Sequence, residues 1–168
     1  LFHLNSFAIT NIAREIMTNT ILALDLEGVL ITNAISQFPR PGLMQFLCQC
    51  ESLFGKDNIC IFTSVHEEMF KEIAHTLVRE NLVPEWFPTL RYINWAGEHK
   101  DLRFVDEDIN KVIIVDDYPP YIKQTQKHRL IEISQYLEPY SHESPDFTDN
   151  ELEALLVKLR LKIGQPSL

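Results

Sequence analysis

The chain has 168 residues, the size of one domain, of which 45% are hydrophobic and 23% charged. These proportions are ordinary for a globular protein that buries a hydrophobic core. The net charge of −9 argues against a nucleic-acid partner, which would require a basic face. No apolar run approaches the roughly 20 residues that are needed to span a bilayer, so we expect no membrane partner either.

The cysteines and the start of the chain favour a cytoplasmic protein. Cys48, Cys50 and Cys60 are too few, and odd in number, for a disulfide framework, so we expect packing residues in a reducing cytosol. Residues 1–16 are mildly apolar but lack the basic start and the small-residue cleavage site of a secretory signal. We predict a leader or N-terminal extension at residues 1–16, with an ordinary N-terminal helix as the alternative, and one domain at residues 17–168.

The first predicted element is a buried strand. Residues 21–26 form an apolar run that stops at a Glu-Gly pair, a pattern typical of a parallel strand followed by a loop. The proline and glycine cluster at residues 38–42 then breaks the chain. Apolar residues recur at helical spacing after it, with Pro41 suited to the first turn and Gly55 to the end, so we predict a helix between them.

The rest of the chain continues the alternation of strands and helices. Residues 58–62 predict a second buried strand, and helical periodicity follows over residues 66–80. The clearest strand is the apolar run at residues 111–115. The remaining predicted elements are a strand at 90–93, a weaker strand at 130–133, a loop at 138–145 and, after a capping box at 148–151, a helix with apolar Leu152, Leu155, Leu156, Leu159 and Leu161.

This alternation predicts an α/β fold with a central parallel sheet and right-handed crossovers. Ligands of such sheets bind outside the carboxyl ends of the strands. Asp25 lies near the end of the first strand, and Thr63 and Ser64 follow the second. Asp116 and Asp117 follow the clearest strand. We therefore expect Asp25, Thr63 and Asp116 to be neighbours in space, although they are far apart in sequence.

Each polar feature also has an interpretation without function. An aspartate after a strand is often a turn former or a helix cap, and a single lysine such as Lys100 is usually solvated. Acidic groups at the ends of two buried strands are harder to explain in this way, because they repel each other unless a cation or a lysine compensates them. The combination therefore indicates a functional site.

The motifs at these positions resemble those of a known family. The segment at residues 25–30 resembles the Asp-x-Asp-Gly-Thr-Leu signature of the haloacid dehalogenase (HAD) phosphatases. Further motifs resemble the NLI-interacting-factor branch, which includes the small phosphatases of the carboxy-terminal domain of RNA polymerase II. They are Arg40-Pro41-Gly42, Ile61-Phe62-Thr63-Ser64, Lys100-Asp101-Leu102 and residues 112–117. Their order and spacing agree from about residue 21 to the final helix.

The resemblance implies a three-layer, Rossmann-like fold with little or no cap domain. Nine residues separate Leu30 from Arg40 and twelve separate Phe87 from Lys100, so neither gap holds a large cap. The site should therefore be open to a phosphoprotein or another bulky phosphorylated substrate. Trp86, Tyr92 and Trp95 lie in the second gap, where they either line the entrance or pack as ordinary aromatics.

The resemblance further implies a Mg²⁺-dependent phosphomonoester hydrolase that forms an aspartyl-phosphate. Asp25 would be the nucleophile. The Mg²⁺ ligands would be the Asp25 carboxylate, the Glu27 backbone carbonyl and Asp116, with Asp117 bound directly or through water.

The same resemblance assigns the remaining site residues. Thr63 would bind the phosphoryl oxygens, with Ser64 as a weaker candidate. Lys100 would supply a fixed positive charge and restrain the carboxylates. Glu27 would be the general acid for the leaving group and then the base for water.

Two departures from the family pattern leave alternatives open. Glu27 stands where the family usually has Asp, and Asp117 stands where the polymerase phosphatases usually have Asn. The branch contains a mitochondrial import receptor with an Asp-x-Glu motif, so a degenerate binding module with little catalysis is the alternative function. Phosphoryl transfer to an acceptor other than water is a third. The sequence leaves the physiological substrate and the oligomeric state undetermined.

Overall fold

A computed structural model describes residues 19–137 and 149–164. Within them, five parallel strands form one sheet in the order β3-β2-β1-β4-β5. The strands are β1 (Ile21–Leu24), β2 (Ile59–Ile61), β3 (Arg91–Tyr92), β4 (Val112–Asp116) and β5 (Leu130–Glu132). The helices are α1 (Leu43–Phe54), α2 (Glu67–Arg79) and α3 (Glu151–Gly164). The predicted α/β class with a central parallel sheet is confirmed.

The two faces of the sheet are covered differently. Successive strand residues point to opposite faces, so Leu22 and Leu24 of β1 join one core cluster and Ala23 the other. The first cluster contains the buried side chains of α1, α2 and α3. The second contains residues of short 3₁₀ turns, such as Leu102. The third layer of the fold is therefore built mainly from 3₁₀ turns, at residues 102–104, 109–111, 119–121 and 124–129.

Some predicted boundaries differ by one or two residues. Strand β1 ends at Leu24, because the Asp25 carboxylate accepts a hydrogen bond from the Leu26 N–H and the chain turns there. Asp116 is the last residue of β4 instead of the first residue after it. Helix α1 begins at Leu43 and leaves Pro41 outside, because Gly42 has a φ of 81°, which interrupts the helical conformation.

The final helix buries a narrower face than predicted. Leu152, Leu155 and Leu159 are buried, but Leu161 is 63% exposed. A helix turns about 100° per residue, so a residue two positions after Leu159 lies on the opposite side. The Asp149 carboxylate accepts a hydrogen bond from the Glu151 N–H at the start of α3.

Several sequence predictions concern residues outside the described ranges. They are the leader at 1–16, the loop at 138–145 and the threonine of the capping box. Of the cysteines, Cys50 and Cys60 are buried and Cys48 is exposed. Burial raises the pKa of the Cys60 thiol to about 11. Among the described residues, no helix is long and apolar enough to cross a membrane.

Candidate active site

The carboxyl edge of the sheet brings distant residues together. Strands β1 and β4 are adjacent, with Leu24 opposite Val115, so Asp25 follows its strand beside the end of β4, where Asp116 lies. The Asp25 N–H donates to the Val115 carbonyl at 3.0 Å and fixes this register. Lys100 reaches the same edge because its backbone forms a bridge with Ile122, beyond β4.

Lys100 is the centre of the site. Its ammonium lies 2.9 Å from Asp25 Oδ2 and 2.6 Å from Asp116 Oδ2, and its side chain is 0% exposed. Burial opposes the charge of this lysine, but the negative charges of Asp25 and Asp116 outweigh burial and raise its pKa. The lysine is therefore a fixed positive charge between two carboxylates.

The three carboxylates outnumber the ammonium. Asp25, Asp116 and Asp117 each offer an oxygen within 4.8 Å of the others. Three carboxylates and one ammonium leave a net charge of −2 when all are ionised. Burial, and then the charge of Asp25, raise the pKa of Asp116 to about 6, although Lys100 opposes this shift. Burial and the charge of Asp25 also raise the pKa of Asp117, which Lys100 and Arg40 oppose.

This donor set fits a hard divalent cation. Carboxylate oxygens are the ligands that Mg²⁺ prefers, and the site holds an excess of buried negative charge that a dication would balance. Gly28 lies against one of these carboxylates. Its φ is 73°, and a Cβ at this position would collide with the Asp117 carboxylate. A glycine is therefore required where the β1 loop meets the acids.

The Glu27 side chain points into the loop that follows β1. Its Oε1 accepts a hydrogen bond of 2.6 Å from the Ala34 N–H, and the residue is half-buried. Among the described residues, the group with metal-ligand spacing does not include the Glu27 carboxylate. Metal ligation through the Glu27 backbone carbonyl, which the family resemblance implies, stays a prediction.

Thr63 lies in the turn after β2. Its side chain is 1% exposed, and its hydroxyl accepts a hydrogen bond from the Val65 N–H at 3.3 Å. The turn is braced by two aromatics, because Trp95 Nε1 donates to the Thr63 carbonyl at 2.7 Å and the Tyr92 hydroxyl donates to the Val65 carbonyl at 2.6 Å. Ser64 is exposed.

The three aromatics Trp86, Tyr92 and Trp95 are half-buried and hydrogen-bonded within the domain. Tyr92 and Trp95 support the Thr63 turn, and Trp86 donates its indole N–H to Glu51. Tyr118 and Tyr121 are exposed, and their rings pack edge to face with the centroids 4.8 Å apart. The Tyr-Pro-Pro-Tyr sequence directly after the two aspartates indicates a rigid turn at this position, because prolines restrict the backbone.

The fold and the site together define an α/β domain of the HAD type. The family model of the NLI interacting factor-like phosphatases matches residues 15–166, and the chain belongs to this family. The predicted family resemblance is therefore confirmed.

A solved structure shares the fold. It is that of the fission yeast RNA polymerase II CTD phosphatase Fcp1, as the R271A variant bound to beryllium fluoride. The TM-score is 0.54 at 16% sequence identity, and the match covers 96% of this chain and 54% of the other. The chain thus spans about half the length of that structure. No curated protein matches the sequence significantly.

Proposed function

We propose that the chain is a Mg²⁺-dependent phosphomonoester hydrolase in which Asp25 is the nucleophile. The observation that carries this proposal is the buried Lys100 ammonium, which bridges Asp25 and Asp116 beside Asp117. A purely structural ion pair needs one carboxylate for each lysine. This site has three carboxylates for one lysine, which is two carboxylates more than charge balance requires. A phosphoryl group and a metal ion together are a ligand that matches such a site.

The reaction would proceed in two displacements. An Asp25 carboxylate oxygen forms a bond to phosphorus while the bond from phosphorus to the leaving oxygen breaks, and the leaving oxygen takes a proton from Glu27. Water then attacks the same phosphorus, gives its proton to Glu27 and releases phosphate and free Asp25. Mg²⁺, held by Asp25, Asp116, Asp117 and the Glu27 carbonyl, would supply positive charge to the phosphoryl oxygens.

The other site residues would orient and stabilise the phosphoryl group. The Lys100 charge faces Asp25 and would restrain it for in-line attack, while it balances charge that develops on phosphoryl oxygens. The Thr63 hydroxyl and nearby backbone N–H groups would donate hydrogen bonds to those oxygens. Ser64 is exposed beside Thr63 and would make a further contact with the bound substrate.

A phosphoprotein is the substrate class that we propose. The relative of known structure acts, by its name, on the CTD of RNA polymerase II. In this chain the exposed Tyr118 and Tyr121 follow the acids directly and sit on a turn that two prolines stiffen. Rigid aromatics bind peptides at low cost in conformational entropy. A panel of phosphopeptides and phosphorylated metabolites identifies the substrate.

Removal of the metal tests the proposed function. With an aryl phosphate, we expect phosphate release to stop in a chelator and to return with Mg²⁺. Because a proton on Asp116 competes with the cation, the Mg²⁺ concentration that gives half-maximal activity should rise as the pH falls below about 6. Undiminished activity in the chelator would contradict the mechanism, and a Mg²⁺ requirement that does not change between pH 5 and 8 would contradict the role of Asp116.

Substitution of Glu27 separates the enzyme from the binding module. Glu27→Gln keeps an oxygen that accepts from the Ala34 N–H, so the loop is preserved while the proton is lost. We expect kcat to fall by about 100-fold or more, because general acid–base catalysis contributes at least about that factor to the rate. Thermal unfolding at increasing MgCl₂ concentration measures Mg²⁺ binding. We expect this binding to be unchanged, because residue 27 would ligate the metal through its backbone.

The Glu27→Asp variant tests the length of this side chain. Aspartate is one methylene shorter, and a misplacement of about 1 Å costs a catalytic group up to roughly 100-fold. We expect activity to be kept or raised if the loop retains the family geometry. The binding module is the second candidate, favoured by the Glu27 carboxylate that is already engaged with Ala34. It would be preferred if neither the native chain nor Glu27→Asp releases phosphate from any phosphomonoester.

A further inference from the structure

The Arg40 guanidinium is buried, and each of its three nitrogens donates a hydrogen bond. The side chain is 1% exposed. Its hydrogen-bond partners are the Asp149 carboxylate (Nε, 3.1 and 3.0 Å) and the carbonyls of Gly28 (Nη1, 3.2 Å), Val29 (Nη1, 3.4 Å) and Ser134 (Nη2, 2.8 Å). The guanidinium carbon also lies 5.3 Å from the centre of the Tyr136 ring. A planar fork of donors is the property of arginine that such a site requires.

These contacts join three separate parts of the chain. Gly28 and Val29 belong to the loop after β1, Ser134 follows β5, and Asp149 precedes α3 and accepts a hydrogen bond from its first N–H. Arg40 and Asp149 are 109 residues apart in sequence. Their ion pair is 3.0 Å long and is shielded from water, so screening by salt is weak.

The link to the active site runs through Gly28. The Gly28 carbonyl accepts hydrogen bonds from both Arg40 and the Tyr136 N–H, the latter at 2.8 Å. On its other side, the Cα of Gly28 lies so close to the Asp117 carboxylate that a Cβ would not fit. The backbone of Gly28 thus limits the position of the Asp117 carboxylate. Arg40 fixes that backbone through its hydrogen bond to the Gly28 carbonyl.

We propose that Arg40, paired with Asp149, is a positioning group for Asp117 and hence for the divalent cation site. It acts through the Gly28 backbone and makes the affinity of the site for a cation depend on the docking of α3. The inference rests on the proposed function, because it concerns the cation that this function requires. Loss of a residue that orients a metal ligand, without itself binding the metal, typically lowers the metal affinity by about 10- to 100-fold.

The test compares three variants of the full chain. Asp149→Asn keeps an oxygen for the α3 cap and for one hydrogen bond but removes the charge, and Arg40→Lys keeps the charge but removes the fork. Arg129→Lys is the matched control, because Arg129 also donates to a backbone carbonyl, that of Val112, at the opposite end of β4 from Asp116. For each variant and for the native chain, the midpoint of thermal unfolding and the rate of phosphate release are measured as functions of MgCl₂ concentration.

We expect Asp149→Asn and Arg40→Lys to raise the half-saturating MgCl₂ concentration about 10-fold or more in both measurements. The kcat at saturating MgCl₂ should change less, and Arg129→Lys should match the native chain in its MgCl₂ requirement. Values within twofold of the native chain for both variants would overturn the proposal, and so would an equal shift in Arg129→Lys. If the native chain itself shows no response to MgCl₂, the metal dependence of the proposed function fails together with this inference.

Discussion

Asp25→Asn should lower kcat by at least about 10,000-fold, since loss of the nucleophile in another hydrolase that forms a covalent intermediate costs about 10⁶-fold. The amide oxygen of asparagine is a poor nucleophile, and the variant cannot form the ester bond to phosphorus that the first displacement requires. The native carboxylate is also held in place, by the Leu26 N–H on Oδ1 and by Lys100 on Oδ2. Asparagine can satisfy only one of these two donors with its oxygen, so a modest loss of stability should accompany the loss of turnover.

The measurement is phosphate release at saturating Mg²⁺ and substrate, with thermal unfolding to verify the fold. Asp117→Asn is the graded control, because it also removes one negative charge from the same cavity but keeps an oxygen for the cation. We expect it to lower activity by less than about 100-fold, the range for a perturbed metal environment. If Asp25→Asn retained activity within tenfold of the native chain, Asp25 would not be the nucleophile.

The position of Asp25 could be predicted because the signals for it are local. The apolar runs at β1 and β4 are short and uninterrupted, and parallel strands end at the same edge of a sheet. Physical reasoning from two strands was therefore enough to place Asp25 and Asp116 together. The small errors, at the ends of β1 and α1, come from single backbone features, such as the left-handed conformation of Gly42.

Other parts of the site depend on contacts that have no local signal. Lys100 belongs to no regular strand or helix and reaches the acids through a backbone bridge to Ile122. Only the family resemblance indicated this lysine. The Glu27 contact with Ala34 closes a loop whose path the sequence does not specify. The pairing of Arg40 with Asp149 spans 109 residues, and nothing in the pattern of either segment predicts the other.

The exposed Leu161 illustrates a different limit. Five leucines in the last helix predict an apolar face, but the structure buries three of them. Hydrophobic residues are frequent on protein surfaces, so an apolar side chain does not by itself mark a buried position. The orientation of each residue around the helix axis decides burial, and the predicted set was too wide for one face.

Lys100→Met should remove most activity and also destabilise the fold. Methionine preserves much of the buried volume, so the main change is the loss of the ammonium that contacts Asp25 at 2.9 Å and Asp116 at 2.6 Å. Loss of one fixed group that stabilises transition-state charge costs about 100- to 1,000-fold in kcat. Removing one partner of a buried ion pair typically costs about 3–5 kcal/mol of stability, because the remaining charge is left without compensation.

The pH dependence of stability distinguishes this charge effect from a packing defect. Burial and the charge of Asp25 raise the pKa of Asp116 to about 6 in the native chain, and Lys100 is the main group that opposes this rise, with a smaller effect from the Tyr118 N–H. A carboxyl whose pKa is raised by folding contributes most to stability at low pH, and that contribution is lost as the pH rises through its folded pKa. The loss of Lys100 raises this pKa further. The variant should therefore be most destabilised at pH 8 and approach the native chain at pH 5.

Urea unfolding at pH 5 and pH 8, together with phosphate release, measures both effects. Lys123→Met is the control, because Lys123 pairs with Asp101 at 2.8 Å but is 41% exposed. Surface ion pairs are worth about 0–1 kcal/mol, so this variant should stay close to the native chain in stability and activity. A Lys100→Met protein that is equally destabilised at both pH values would indicate a packing defect. Activity within tenfold of the native chain would mean that the charge between the two aspartates is not needed for phosphoryl transfer, and the lysine would then serve only the fold.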